Sequence, residues 1–165
     1  MSAAIAWIAH ALAEAEVQWL LTGGSARALA GTPSVPRDID IEVAGTDAKR
    51  AAEALGIKAT PTISRRMRSV RGHGTREGIP FDLSADVVVI TPSRLESDFA
   101  LQWRFSHGVS LGKTALRVGP EEEPIVRAAA AGDDIRLRRL CHAAMARGLR
   151  PDYVLARLAR ASASS

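Results

Sequence analysis

Two aspartates lie two residues apart in a short segment where polar and apolar residues alternate strictly. The segment reads DIDIEV over residues 38–43, and this alternation predicts a strand with Asp38, Asp40 and Glu42 on one face. Carboxylates so placed are about 7 Å apart at the backbone, and their repulsion raises their pKa values unless a cation binds between them. Because hard carboxylate oxygens favour Mg²⁺ or Mn²⁺, the pair predicts a divalent-metal site. Glu42 either supports the two aspartates or faces solvent, and we expect solvent.

A glycine pair precedes these aspartates and ends an apolar run. The run VQWLLT predicts a buried strand that stops at Gly23 and Gly24, and residues 25–30 predict a helix that begins at Ser25. Glycines let the backbone turn tightly and approach a ligand, and the start of a helix offers unpaired N–H groups to an anion. The segment therefore predicts a phosphate-binding turn, to which Ser25 adds a hydroxyl donor. Arg37 either contacts a phosphate as well or lies exposed in its loop.

A phosphate-binding turn beside a metal-binding strand is the arrangement that phosphoryl or nucleotidyl transfer requires. The two segments, LLTGGSARAL and RDIDIEV, together resemble the signature of the nucleotidyltransferase superfamily. That superfamily includes small bacterial minimal nucleotidyltransferases, antibiotic nucleotidyltransferases, nucleotidyltransferase-type toxins and antitoxins, and polymerase-β-like enzymes. The resemblance implies an α/β (α+β) nucleotidyltransferase fold, in which helices flank a mixed β-sheet and a C-terminal helical segment follows.

The superfamily normally carries a third carboxylate on a later strand, where it completes the metal site and helps to deprotonate the attacking hydroxyl. Asp82, within the segment IPFDL, matches this position best, and Asp86 is the alternative. Pro80 argues against a central strand there, because proline is confined to edges and bulges. The resemblance implies catalytic and metal-binding roles for Asp38, Asp40 and Asp82. It implies nucleotide binding by Gly23, Gly24, Ser25 and Arg37.

The reaction implied by the resemblance is transfer of a nucleoside monophosphate from a nucleoside triphosphate, ATP first among them, to an acceptor hydroxyl. Mg²⁺ or Mn²⁺ is the expected cofactor. The sequence leaves the acceptor open between a small molecule, a protein and tRNA, and it leaves open a partner protein or a homodimer. The alternative is a non-catalytic member that acts as a toxin–antitoxin or regulatory partner protein. A coincidental likeness in a different α/β protein is the third interpretation.

The remaining pattern divides the chain into an α/β core over residues 1–118 and a C-terminal helical segment over residues 119–165, packed on the core. In the core we expect helices at 3–16 and 46–55, strands at 62–71 and 79–83, a glycine-rich turn at 72–78 and a hairpin within 109–118. Residues 86–90 either continue the preceding strand or start a new element. Further helices are expected at 121–131, 133–147 and 152–161.

Composition excludes several other classes of protein. With 165 residues, 47% of them hydrophobic and 24% charged, the chain can bury one core and is not a disordered polyelectrolyte. A single cysteine excludes an intramolecular disulfide and a cysteine-based zinc cluster. No apolar run approaches the ~20 residues of a membrane span and the N-terminus lacks a basic leader, so we expect a cytoplasmic protein. The net charge of +4 tolerates polyanionic partners without selecting one.

Three further patterns concern a glycine-containing segment, a cluster of arginines and one histidine. The segment from Gly108 to Thr114 lacks the glycine spacing of a P-loop, and a hairpin turn explains it. The arginines between residues 65 and 76 either contact phosphate or RNA or form a solvated strand face, and we expect the solvated face. Of the four histidines, His73 is the one that a turn beside Asp82 could bring to the site.

Overall fold

The computed structural model describes residues 1–31, 35–90, 94–145 and 148–163. Its helices are α1 (Ser2–Glu14), α2 (Gly23–Leu29), α3 (Ala48–Ala54), α4 (Phe99–Phe105), α5 (Glu123–Ala130), α6 (Asp134–Met145) and α7 (Pro151–Ala163). Its strands are β1 (Trp19–Thr22), β2 (Ile39–Val43), β3 (Ala59–Ile63), β4 (Met67–Arg76), β5 (Ile79–Val89), β6 (Leu95–Glu96), β7 (His107–Leu111) and β8 (Thr114–Val118). A short 3₁₀ turn at Gly45–Asp47 leads into α3.

The strands form one mixed sheet in the order β3-β4-β5-β2-β1-β8-β7, with β6 paired to β5 beside this path. β2 runs parallel to β5, and β1 runs parallel to β8, while the other pairs are antiparallel. β1, β2 and β5 therefore lie inside the sheet, where hydrogen bonds on both sides fix their backbones. The predicted mixed α/β architecture, a mixed sheet flanked by helices, is confirmed.

One face of the sheet packs against α1 and α3. The alternation of β2 places Ile39, Ile41 and Val43 in this core, and none of them is more than 1% exposed. α1 adds Ile5 and Ile8 at helical spacing, because residues three or four apart lie on the same face of a helix. The polar residues of β2 therefore lie on the opposite face of the sheet.

The predicted single strand over residues 62–71 is wrong, because these residues belong to two strands. β3 ends at Ile63 and β4 begins at Met67, and the two strands pair antiparallel. The side chain of Ser64 closes the turn between them, with Oγ accepting a hydrogen bond of 3.0 Å from the backbone N–H of Met67. The sequence did not indicate this turn, because the arginines in it fit an exposed strand as well as an exposed turn.

The predicted glycine-rich turn over residues 72–78 is also wrong, because β4 continues through most of it to Arg76. The turn is confined to Glu77 and Gly78, whose φ angles of 52° and 75° are left-handed. Two successive left-handed residues match the twist of the flanking strands in a tight hairpin. Glycines within the segment thus serve strand packing as well as the turn.

β5 is longer than its predicted range and includes most of residues 86–90, so this segment continues the strand. Pro80 is tolerated because pairing with β2 begins only at Phe81, and β5 is still an edge at the proline. The hairpin of β7 and β8 is confirmed. The sequence did not predict α4, which lies between β6 and this hairpin.

Three helices follow β8 in the described part of the chain, as predicted, with bounds that differ from the expected ones; residues 146–147 of the expected helix over 133–147 lie outside the described residues. α5 and α7 contact the sheet through a second apolar cluster that includes Val89, Leu95 and Val126. The division into two domains at residue 118 stays a prediction. No described helix combines the length and the apolar character needed to cross a membrane.

Candidate metal and nucleotide site

The pairing of β2 with β5 brings the third carboxylate to the first two. Asp40 and Asp82 are direct neighbours in the parallel register of these strands, so their side chains lie on the same face. Asp38 stands at the entrance of β2, and one carboxylate oxygen from each of Asp38, Asp40 and Asp82 lies within 4.8 Å of the others. The structure therefore brings together the three residues predicted as metal ligands.

Asp40 carries the clearest electrostatic signature of this acidic cluster. Its pKa is raised, first by burial and then by the negative charges of Asp38 and Asp82. A hydrogen bond from the backbone N–H of Gly24 and the charge of Arg27 act in the opposite direction without cancelling the rise. An ionised Asp40 therefore costs free energy in the protein alone, and a cation between the carboxylates would recover it.

Asp86 lies outside the acidic cluster. Ala85 pairs with Val70 and Val88 pairs with Arg68, so β5 has one extra residue at this point. Asp86 adopts a left-handed φ of 48°, and its carboxylate lies against Gly45 at the start of the 3₁₀ turn. A bulge of this kind shifts the alternation of a strand. The alternative third carboxylate, based on unbroken alternation from Asp82, is therefore wrong.

The glycine turn and the acidic cluster form one packed unit. Gly23 has a left-handed φ of 63°, and a Cβ atom placed on it would lie 1.7 Å from Oδ2 of Asp40. Only glycine fits between the end of β1 and this carboxylate. Gly24 donates its backbone N–H to Asp40. A ligand that touches this turn also lies beside the carboxylates.

Ser25 holds the backbone at the start of β2. The helix begins at Gly23 rather than at Ser25, so the prediction that Ser25 starts the helix is wrong. Its side chain is buried, and Oγ donates a hydrogen bond of 2.6 Å to the carbonyl oxygen of Asp38. Ser25 therefore positions Asp38, and the contact of its hydroxyl with a phosphate stays a prediction.

Solved structures place this architecture among known proteins. No family model and no curated protein sequence matches the chain. A candidate nucleotidyltransferase from Thermotoga maritima superposes with a TM-score of 0.64 at 20% identity, over 85% of this chain and 86% of that one. ANT(2″)-Ia, in complex with adenylyl-2″-tobramycin, superposes with a TM-score of 0.57 at 14% identity, over 99% of this chain and 98% of that one. The chain has the nucleotidyltransferase fold.

A cavity of about 250 Å³ extends from the acidic cluster of this nucleotidyltransferase fold toward α5. Gly23 and Asp40 line one end, and Glu123 and Arg127 line the other. Arg27, which the sequence analysis overlooked, also lines the cavity. Its position four residues after Gly23 on a helix was the available signal, because residues at this spacing share a helix face.

The arginines predicted near the site lie in different places in this nucleotidyltransferase fold. Arg66 and Arg71, from the predicted solvated cluster, line the cavity, and Arg66 also pairs with Asp133 at 3.5 Å. Arg76 instead lies over the ring of Trp7, 4.5 Å from its centroid. Arg37 is exposed and is not among the described residues that line the cavity. Its contact with a nucleotide stays a prediction.

Glu42 contradicts the expectation that it faces solvent. It is only 3% exposed, and its Oε1 accepts hydrogen bonds from Arg127 at 2.6 Å, from Gln102 at 2.8 Å and from Ser97 at 2.8 Å. Burial alone would raise the pKa of Glu42, but Arg127 and the other two donors hold it below its ordinary value. No local pattern predicts this, because Arg127 lies 85 residues further along the chain.

The ion pairs continue from Glu42 into the C-terminal helices. Arg127 donates its Nε hydrogen to Glu123 at 2.8 Å. Glu123 in turn accepts hydrogen bonds from Arg157 at 2.9 Å and from the hydroxyl of Tyr153 at 2.5 Å. This buried ion network, made of Glu42, Arg127, Glu123, Arg157 and Tyr153, connects β2 to α5 and α7. Glu42, Glu123 and Arg127 of this network also line the cavity.

Proposed function

We propose that this protein is a divalent-metal-dependent nucleotidyltransferase that moves a nucleoside monophosphate from a nucleoside triphosphate to an acceptor hydroxyl. One observation carries the proposal: the carboxylates of Asp38, Asp40 and Asp82 converge beside a glycine turn that only glycine can form. Nucleotidyl transfer requires both parts, since triphosphate and metal must bind side by side. The fold shared with nucleotidyltransferases supports the same reaction.

The donor set fits Mg²⁺ or Mn²⁺. It consists of carboxylate oxygens, which are the ligands that these hard cations prefer. The raised pKa of Asp40, caused by burial and by its two acidic neighbours, supports a site that binds a cation. When bound, a divalent cation supplies neutralisation of the charge on the phosphate oxygens.

The residues of the chain divide the reaction between binding and proton transfer. Gly23 and Gly24 bind the triphosphate through the close approach of their backbone. Arg27, whose charge acts on Asp40 and which lines the same cavity, contacts a phosphate. The acceptor oxygen attacks the α-phosphorus, and the bond from that phosphorus to pyrophosphate breaks as the new O–P bond forms. The proton of the hydroxyl moves to Asp82. The protein thus contributes mainly positioning and charge complementarity.

ATP is the donor we propose first, and the acceptor is best sought by screening. ANT(2″)-Ia is seen with an adenylylated aminoglycoside, adenylyl-2″-tobramycin, which makes aminoglycoside hydroxyls one class to test. Labelled nucleoside triphosphates should be screened against aminoglycosides, tRNA and total protein. Label transfer to one class identifies the acceptor.

The test of the proposal compares matched aspartate variants. We expect Asp38→Ala and Asp40→Ala to abolish metal-dependent nucleotide consumption, and Asp82→Asn to reduce it severely. Asp86→Asn is the matched control, because it lies on the same strand as Asp82 but outside the acidic cluster. Turnover in the Asp38 and Asp40 variants equal to that of the wild type would contradict the proposed mechanism. Calorimetry that detects no binding of ATP with Mg²⁺ would favour the alternative, a non-catalytic partner protein of this fold.

A further inference from the structure

His73 occupies the position directly opposite Asp82. The two residues are cross-strand partners in the antiparallel pair of β4 and β5. Directly opposed residues in such a pair lie on the same face of the sheet, with their Cβ atoms about 5 Å apart. His73 therefore lies on the face of the acidic cluster, on the strand next to the one that carries Asp82.

The glycines on both sides of His73 fix where β4 lies. A Cβ atom on Gly74 would come within 2.3 Å of the ring of Phe81, and one on Gly72 within 2.8 Å of the side chain of Ile57. The ring of Phe81 leaves no room for a side chain at Gly74, and a side chain at Gly72 would have to displace Ile57. The sequence Gly72-His73-Gly74 thus combines a tightly packed backbone with one imidazole on the opposite face.

The imidazole engages one of the two oxygens of Asp82. Nδ1 of His73 lies 2.6 Å from Oδ1 of Asp82. An ionised carboxylate only accepts hydrogen bonds, so Nδ1 is the donor in this contact. A hydrogen bond to one oxygen restricts rotation of the carboxylate, which also contributes an oxygen to the acidic cluster.

We propose that His73 is a positioning residue for the reaction, acting through Asp82. The inference rests on the proposed function, because it assigns to His73 the orientation of the carboxylate that receives the hydroxyl proton. In metal sites, partners that orient a ligating or proton-accepting group typically change metal affinity or activity by about 10–100-fold when removed. The triphosphate binds at the glycine turn, which His73 does not touch, so its binding does not depend on the imidazole.

The kinetic test uses His73→Ala, His73→Asn and a control. We expect His73→Ala to lower kcat by about 10–100-fold and to leave the KM for nucleoside triphosphate within about twofold. His73→Asn should restore much of the loss, because the asparagine amide can donate to the same carboxylate oxygen. His107→Ala, an exposed histidine on β7, should match the wild type. Unchanged kcat in His73→Ala, or a raised KM alone, overturns the proposal.

A second variant separates positioning from a general effect on folding. In an Asp82→Asn background, His73→Ala should cause no further loss of kcat, since the residue acts through the carboxylate that is already altered. An additional loss of the same size in that background overturns the proposal. It would show that His73 acts on stability or on another group.

A binding measurement distinguishes failure of this inference from failure of the proposed function. Calorimetry follows the titration of Mn²⁺ into the protein in the presence of a non-hydrolysable ATP analogue. We expect the affinity for Mn²⁺ to be about tenfold weaker in His73→Ala than in the wild type and in His107→Ala. If the wild type binds Mn²⁺ and turns over ATP while His73→Ala behaves identically in both assays, only the role of His73 fails. If the wild type binds neither Mn²⁺ nor the analogue, both proposals fail.

Discussion

Asp40 and Glu42 are two carboxylates on the same face of one strand, and the protein treats them in opposite ways. Asp40 lies among two other aspartates, and its pKa is raised by burial and by their charges. Glu42 is more deeply buried, yet Arg127, Gln102 and Ser97 hold its pKa below the ordinary value. The sequence alternation alone makes the two residues equivalent.

The difference teaches how to separate a binding site from a structural charge. A carboxylate whose partners are supplied by the chain is already satisfied, and its burial serves packing. A carboxylate crowded by other carboxylates, with its pKa raised, is poised for a ligand from outside the chain. By this criterion, Asp40 belongs to a candidate ligand site at the start of β2. Glu42 instead forms the ion pair with Arg127 that anchors α5 to the sheet, and this pair is called the anchor below.

The largest effect is expected from breaking the anchor. Arg127→Met leaves Glu42 buried without its cation and should lower the free energy of unfolding by about 3–5 kcal/mol. Urea denaturation monitored by circular dichroism measures this change. Lys49→Ala, which removes an exposed helical ion pair with Glu53, is the control and should cost less than about 0.5 kcal/mol. A similar small loss in Arg127→Met would show that the anchor contributes little.

A smaller effect is expected from filling the space beside Asp40. Gly23→Ala places a Cβ atom where Oδ2 of Asp40 lies and imposes a left-handed φ on alanine, which costs about 1–2 kcal/mol. Because the carboxylate of Asp40 must also move, nucleotide turnover should be largely lost, although the protein stays folded. Gly31→Ala is the matched control, since Gly31 has a φ of 86° but open space around it. Equal turnover in the two variants would contradict the close packing of turn and cluster.

Removing a charge from the acidic cluster should stabilise the folded protein, whereas removing Arg127 should destabilise it. In EDTA at neutral pH, Asp40→Asn relieves the repulsion and should raise the melting temperature, by about 2–4 °C for each kcal/mol relieved. Mg²⁺ with ATP should raise the melting temperature of the wild type by mass action but not that of Asp40→Asn. A metal-free Asp40→Asn protein less stable than the wild type would mean that Asp40 is already satisfied.

The smallest expected effect is on how the free energy of unfolding changes with pH, in which Glu42 and Asp40 should again differ. Glu42 has a lowered pKa in the folded state, so its contribution is present above its unfolded pKa and is lost as pH falls through the folded value. Asp40 has a raised pKa, so the folded state favours its protonated form, and the advantage of Asp40→Asn over the wild type should vanish as pH falls below the unfolded value of 3.8. The urea concentrations at the unfolding midpoint, measured between pH 3 and pH 7 for the wild type, Arg127→Met and Asp40→Asn, test these directions. A gain from Asp40→Asn that persists at pH 3 would contradict the assignment.

The sequence predicted β2 with its two aspartates and the glycine turn, because both depend on local patterns. Strict alternation defined β2, and the break at Gly23 and Gly24 marked the end of β1. Asp82 was found through the family resemblance rather than through geometry. The bulge that removes Asp86 from the site could not be predicted, because it depends on the left-handed φ of an aspartate inside a strand.

Other parts of the site depend on contacts that are distant in the sequence. Glycine usually interrupts a strand, so Gly72 and Gly74 indicated a turn, whereas the close contacts with Ile57 and Phe81 make them strand residues. Glu42 was expected in solvent, because its cation comes from a helix 85 residues away. Tertiary contacts overrode the local pattern in both cases.

The buried ion network also sets an order of events on the ribosome. Arg127 is synthesised 85 residues after Glu42, which at about 5–20 residues per second is roughly 4–17 s later. Arg157, the partner of Glu123, follows after a further 34-residue separation from that glutamate. Until Arg127 is synthesised, Glu42 has no cation from α5 to offset its burial, so we expect this face of the sheet to stay hydrated until then. The side of the cavity that α5 (Glu123–Ala130) provides can therefore form only after that helix has been synthesised.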